Sequence, residues 1–173
     1  MTKCPVNDDA AIRLNLINRM MQVFDADKKR IDHALAVLRY AERIHVSEGG
    51  NPLIVSAAAI LHDIGIHEAE RKYGSSAGLY QEIEGPPIAQ NILTESGLAK
   101  DDIEHICRII ANHHSAKDID TTEFRIIWDA DWLVNLPDEH PDLRGDKLYN
   151  TIAKIFKTGT GRRLAIALFL ENL

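Results

Sequence analysis

The sequence predicts an all-α fold in a single domain, and three observations predict it. Apolar residues recur at three- and four-residue spacing along nearly the whole chain, while two-residue alternation bounded by turns is almost absent. The turn formers Gly49, Gly50 and Pro52 punctuate these runs as helix boundaries do. A length of 173 residues suits one hydrophobic core without staples.

The elements follow in order. From about Asp9 to Phe24, Ile12, Leu14, Ile17, Met20, Met21 and Phe24 share one broad face. From about Asp27 to Ser47, Ile31, Leu35, Leu38, Ala41 and Ile44 repeat the pattern until Gly49-Gly50 stops it. Pro52 suits a first helical turn, and the helix it opens runs to about Asp63 or Ile64, where Gly65 interrupts.

The stretch from His67 to Glu84 reads as an irregular connection with one helical turn. "GPPIAQNIL" restarts a helix with Pro86 and Pro87 in its first turn, where a missing N–H does least harm. Asp101 with Glu104 resembles a capping box opening a helix that continues to His114. A further helix spans about Glu123 to Leu136, and "PDEHPDLRG" is a loop. Helices over about Asp146 to Phe156 and Gly161 to Leu170, joined by "KTGT", complete the domain. Residues 1–173 thus form one unit with its core at about 27–136, on which the first helix and the last two pack.

Composition narrows the function. A formal charge of −6 and a pI near 5.7, with no Lys/Arg block, argue against coating a nucleic-acid polymer. "MTKCPVNDDA" has neither the basic start nor the apolar stretch of a secretory signal, and no segment of about 18 uninterrupted apolar residues suggests a membrane partner. Cys4 and Cys107 lack metal-ligand spacing and fit a reducing compartment. The expectation is a cytoplasmic protein with a small-molecule partner; the oligomeric state is not legible.

Polar residues that the periodicity does not explain carry the rest. "AAAILHDIGIH", Ala57 to His67, sets His62 and Asp63 side by side in an aliphatic helix. An unpartnered buried charge is costly, so the candidates are local hydrogen bonds, a salt bridge or a metal. His33, the pair His113-His114, and Asp129 with Asp131 in "WDADWL" pose the same question.

If the helices bearing His33 and His62 form an antiparallel hairpin through "EGGNP", the two residues stand level, each about 15 to 20 Å from the turn. Asp63, rotated by about 100°, reaches the same groove. A carboxylate from a third helix then completes a mixed nitrogen and oxygen shell suited to Mn²⁺, Fe²⁺, Co²⁺, Ni²⁺ or Zn²⁺, with positions left for water and substrate.

The ordered set His33, His62-Asp63 followed by Ile-Gly, His113-His114 and "DADWL" resembles the HD superfamily of metal-dependent phosphohydrolases. The resemblance spans about Asp27 to Leu136. It implies an all-α bundle in which His33, His62, Asp63 and Asp131 bind one divalent ion, Mg²⁺ joining the metals above. Asp131 is preferred to Asp129 because "ADWLVNL" resembles the family's Ala-Asp-Arg-Leu segment, and Asp129 lies about 200° around the helix. Members with more ions resemble this chain at His113-His114. They also carry a His where this chain has "YQEIEGPPIA", so a second ion would draw on an oxygen of Glu82 or Glu84.

The chemistry implied is hydrolysis of a small phosphorylated metabolite, a nucleotide being the first class to try. Asp63 or Asp131 orients the attacking water or accepts its proton. His67 and Glu68 are candidates for a proton donor. Lys72, Lys117, His113 and His114 are candidates to bind the substrate phosphate, with Arg71 and Arg162-Arg163 as further cations. For His113-His114 the alternatives are capping a helix C-terminus or holding a second ion. Two other function classes stay open: a di-iron oxygenase on the same scaffold, and a metal-binding regulatory module without turnover.

Overall fold

Asn51 shows how the helices of this chain are set. Its side chain accepts from the N–H groups of Leu53 and Ile54 at 2.9 and 3.4 Å, Pro52 follows where no N–H is needed, and a helix begins. The computed structural model describes residues 8–171. Among them are nine helices and no strand: α1 (Asp8–Phe24), α2 (Lys28–Glu48), α3 (Pro52–Leu61), α4 (Ile66–Tyr73), α5 (Gly78–Glu95), α6 (Lys100–Ile110), α7 (Thr122–Glu139), α8 (Gly145–Ile155) and α9 (Gly159–Phe169). The fold class is all-α, as expected. Cys4 and most of the stretch read for a secretory signal lie outside the described residues. None of the described helices is long and apolar enough to cross a membrane.

The centre of the packing is α3, which touches α1, α2, α6 and α7. Its run Ala57 to Ala59 is fully buried, and such small side chains let several helices approach one axis. One apolar cluster runs from Leu16 in α1 to Ala165 in α9. The α2 helix is capped by Asp27, whose carboxylate accepts from Arg30 N–H, and ends at Gly49 with φ +80°, a left-handed backbone that glycine adopts without strain. Beyond it, α2 packs along both α3 and α7.

Five expectations are corrected. The connection after the His-Asp pair is helical, with α4 and the first turns of α5 inside it. Three polar side chains clamp these two helices, Lys72 Nζ donating to Glu84 at 2.6 Å and Tyr73 OH to the same carboxylate at 2.8 Å, while within α4 Arg71 donates two hydrogen bonds to Glu68. Pro86 and Pro87 lie inside α5 rather than at its start, and Pro137 lies inside α7, which runs on to Glu139. Packing outweighs the lost N–H groups there, since propensity is a weak prior once an apolar face is buried. No capping box forms at Asp101 and Glu104; α6 starts at Lys100 without a side-chain cap. It also ends at Ile110, so that His113 and His114 leave the helix in a turn.

Candidate metal centre

Helix α3 closes at Leu61, and a tight turn carries His62 to Gly65 into α4, with Ile64 N–H donating to Leu61 O at 3.1 Å and Ile66 N–H to Asp63 O at 3.0 Å. Gly65 makes that turn possible. A Cβ on it would stand 2.5 Å from the backbone nitrogen of Gly85, so α5 crosses the turn at a distance that only hydrogen atoms permit. The crossing aims Asp63 inward.

Three helices then deliver four donor atoms to one point. His33 Nε2, from the second turn of α2, lies 3.2 Å from His62 Nε2 and 3.5 Å from Asp63 Oδ2. Asp131 Oδ1, from the middle of α7, lies 3.1 Å from His33 Nε2 and 3.5 Å from His62 Nε2. His62 Nε2 and Asp63 Oδ2 are 3.5 Å apart. The His62 side chain is fully buried and those of Asp63 and Asp131 are 11% exposed.

Hydrogen bonds fix the rings. His62 Nδ1 lies 2.8 Å from the carbonyl of Ala59, which can only accept, so Nδ1 carries a proton and Nε2 is the ring atom that faces the cluster. His113 repeats the device at the end of α6, with Nδ1–H donating to Ile110 O at 2.6 Å. Its Nε2 is buried and has no hydrogen-bond partner, standing 3.4 Å from the second oxygen of Asp63. Asn135, one turn beyond Asp131 on α7, donates to Asp131 Oδ1 at 2.8 Å.

Charge is concentrated here. Burial works against ionised forms, yet the Asp63 carboxylate and an Asp131 hydrogen bond hold the His62 imidazolium to about 9. Burial likewise opposes the charges of Asp63 and Asp131, but facing histidines keep both well below the usual carboxylate range.

The residues fit a divalent ion. His33 Nε2, His62 Nε2 and Asp63 Oδ2, 3.2 to 3.5 Å apart, leave room at their centre for an ion about 2 Å from each, the usual length of such bonds. The second oxygen of Asp63 gathers with His113 and His114 as another group of possible ligands, all within 4.8 Å of one another.

A model of the HD domain matches residues 30–136. The chain belongs to the HD domain family. Two solved structures share its HD fold. A predicted HD superfamily hydrolase from an uncultured Thermotogales bacterium is 21% identical, with a TM-score of 0.65 over 88% of this chain and 82% of the other. An HD-superfamily hydrolase from Bacillus thuringiensis is 20% identical, with a TM-score of 0.65 over 95% of this chain and 93% of the other. No curated protein matches the chain.

Within this HD domain a cleft of about 530 Å³ opens on the cluster, lined among others by Lys29, Arg30, His33, Asp63, Gln81 and His114. Several residues singled out in the sequence stand elsewhere. His67 Nε2 is turned to the Asp27 carboxylate at 3.1 Å, and Glu68 is held by Arg71 and Lys72. Lys72 is drawn to Glu84, and Lys117 lies in a separate open hollow beside Arg108 and Asp118. Glu82 Oε1 accepts from the N–H groups of His114 and Ser115 at 3.0 and 2.8 Å, and Glu84 accepts from Lys72 and Tyr73. Asp129 faces away from the cluster, accepting from Lys157 N–H, Thr158 N–H and Thr158 O–H under the start of α9; burial pushes its carboxyl up to about 6.

Lys29, Arg30 and Asn135 were missed. The signal was present in helical spacing: Lys29 and Arg30 precede His33 by four and three positions, and Asn135 follows Asp131 by four, which puts each on its ligand's face.

Proposed function

We propose that the protein is a metal-dependent phosphohydrolase that cleaves the phosphate ester of a small metabolite in the cytoplasm, with nucleotides the first class to test. The observation that carries this reading is the convergence of His33, His62, Asp63 and Asp131 on one point at the floor of an open cleft. Membership in the HD domain family, and solved relatives named as HD superfamily hydrolases, support it.

These four residues would hold one divalent ion, Mn²⁺, Fe²⁺, Co²⁺, Ni²⁺, Zn²⁺ or Mg²⁺. Such an ion supplies Lewis-acid polarisation of a phosphoryl oxygen and acidifies water beside it. The chain does the rest. Asp63 orients the attacking water through Oδ1, the oxygen turned away from His33 and His62. The water oxygen bonds to phosphorus, the ester P–O bond breaks, and the proton that the water gives up passes to the leaving alcohol oxygen. Asn135 keeps Asp131 in register through its N–H bond to Oδ1. Lys29, rather than Lys72 and Lys117, offers positive charge to the phosphoryl group, with Arg30 beside it drawn to Glu70 and Asp27 and with His113 and His114 near Asp63.

A second ion is favoured by one observation, the sharing of Asp63 between the two ligand groups. Elemental analysis of the wild type beside Asp63→Ala, with a phosphate-release panel in Mn²⁺, Co²⁺, Ni²⁺ and Mg²⁺, tests the reading. One or two ions per chain, lost in the variant, with phosphate released, is the expected result. Two irons with oxygen uptake and no phosphate release would replace it by oxygenase chemistry, and a loaded protein inert on every ester would point to a regulatory module.

A further inference from the structure

The start of α5 lies against His114, and Gln81 and His114 both line the cleft over the cluster. Gly78 has no side chain, and a Cβ on it would stand 2.7 Å from His114 Cγ, so the first turn of the helix rests directly on the ring. His113 stands beside the same ring, with centroids 4.0 Å apart and planes at 44°. One turn along α5, Glu82 Oε1 accepts from His114 N–H at 3.0 Å. Backbone and ring are both held, and the proton on the ring is held as well.

Gln81, one turn after Gly78, sets that proton. Its Nε2–H donates to the carbonyl of Ser76 at 2.6 Å, where the amide oxygen, if turned there instead, would meet another acceptor. The amide therefore has one orientation, and Oε1 is the atom 3.2 Å from His114 Nε2. An amide oxygen only accepts, so His114 Nε2 carries the proton. A histidine that ligates an ion is neutral. With Nε2 protonated, the one lone pair of neutral His114 is on Nδ1.

His62 and His113 have the opposite arrangement. Their Nδ1–H groups donate to the carbonyls of Ala59 and Ile110, and their Nε2 atoms face Asp63. Backbone three residues back fixes those two rings. The third ring is fixed by a side chain on a different helix, which substitution can remove.

We propose that Gln81 is a positioning residue: by holding the proton of His114 on Nε2 it reserves Nδ1 for the second group of ligands, with Asp63 and His113, and its own amide oxygen is not a ligand. This rests on the two-ion form of the phosphohydrolase reading. Asp63, His113 and His114 each offer one donor atom, all within 4.8 Å of one another. Two imidazoles and a carboxylate oxygen suit Fe²⁺, Co²⁺ or Zn²⁺ better than Mg²⁺. The bond to Gln81 also raises the basicity of Nδ1, as an N–H acceptor does behind any ligating histidine.

Two-bond proton–nitrogen correlation spectra of histidine-labelled protein read each ring's tautomer without reference to activity. In the metal-free wild type His114 is expected as the Nε2–H form and His113 as the Nδ1–H form. Zn²⁺ loading should move His114 Nδ1 to the metal-bound range while Nε2 keeps its proton. Gln81→Met fills similar space without an acceptor, so His114 should become a mixture of tautomers. Affinity for the second ion, read by calorimetry, should fall about tenfold in that variant, with the first ion unaffected. Gln81→Glu supplies an acceptor again and should restore the Nε2–H form. An Nδ1–H form of His114 in the wild type, a tautomer unchanged in Gln81→Met, Zn²⁺ on Nε2, or saturation of the wild type by one ion overturns the proposal. Phosphate release is scored separately: release by a one-ion protein would sink this assignment and keep the hydrolase reading, and a two-ion protein with the stated tautomers but inert on every ester would do the reverse.

Discussion

The Nε2 atoms of His33 and His62 face each other at 3.2 Å from two different helices. Two bare imidazole lone pairs cannot rest so close, so in the metal-free protein a proton holds them, and His62 is the group that keeps it, with its pKa at about 9. An ion must displace that proton. Uptake at pH 7 should therefore release about one proton per ion, and affinity should climb about tenfold per pH unit from neutrality toward pH 9. Calorimetry of metal binding in two buffers of different ionisation heat counts the protons; a count near zero would contradict this account.

The same shift predicts how the metal-free protein responds to pH. His62 titrates higher in the fold than its ordinary 6.5, so its contribution is fully present below that value and is lost as pH rises through about 9. Asp63 and Asp131 are shifted down, so theirs is present above the ordinary carboxylate range and is lost only in strong acid. The His62 part is on the order of 3 kcal/mol. Urea midpoints measured with chelator should fall between pH 7 and 9.5, and saturating metal, which excludes the proton, should flatten the fall.

Parts of this were legible in the sequence for definite reasons. Helix α3 announced itself because Pro52 suits a first helical turn and the run from Ala57 to Leu61 is aliphatic enough to be a buried face. The polar positions His33, His62, Asp63 and Asp131 stood out because each interrupts an apolar stripe. What failed was local chemistry read without its neighbours. Pro86 and Pro137 signal helix ends in isolation, but α5 and α7 carry on through them because their apolar faces are already packed. Lys72 looked free as a cation because nothing in the sequence showed that Glu84, twelve residues on, would fold back to it. Lys29 and Arg30 went unread since the charge run "KKR" looks like any solvated helix start.

Gly65 turns one such contact into a prediction. Any side chain there must push the His62 to Gly65 turn away from the Gly85 backbone, which has no soft atoms to yield. Gly65→Ala should lose about 2 to 3 kcal/mol by overpacking. It should also weaken metal binding, since Asp63 moves with the turn. Gly49→Ala is the control: no atom lies within 4 Å of its Cβ, although its φ of +80° makes it mildly costly. Denaturation and metal titration of the two variants side by side would expose the error if Gly65→Ala kept full affinity.

Asp129 and Asp131, two positions apart on α7, should fail in opposite ways. Asp129 is fully buried, and its oxygens accept from Lys157 N–H at 2.7 Å, Thr158 N–H at 2.7 Å and Thr158 O–H at 2.6 Å. Alanine there strands two backbone donors at the α8–α9 junction, and the expected loss is about 2 to 4 kcal/mol. Because that carboxylate faces away from the cluster, the variant should still bind metal wherever it is folded. Asp131→Ala leaves the α9 junction intact but deprives His33 and His62 of their third-helix partner. It should bind metal at least tenfold more weakly while retaining its helical circular dichroism. Metal content and melting temperature, measured on both variants at low temperature where each is folded, separate the two roles. A stable Asp129→Ala protein that had lost its ion would reverse the assignment of the two carboxylates.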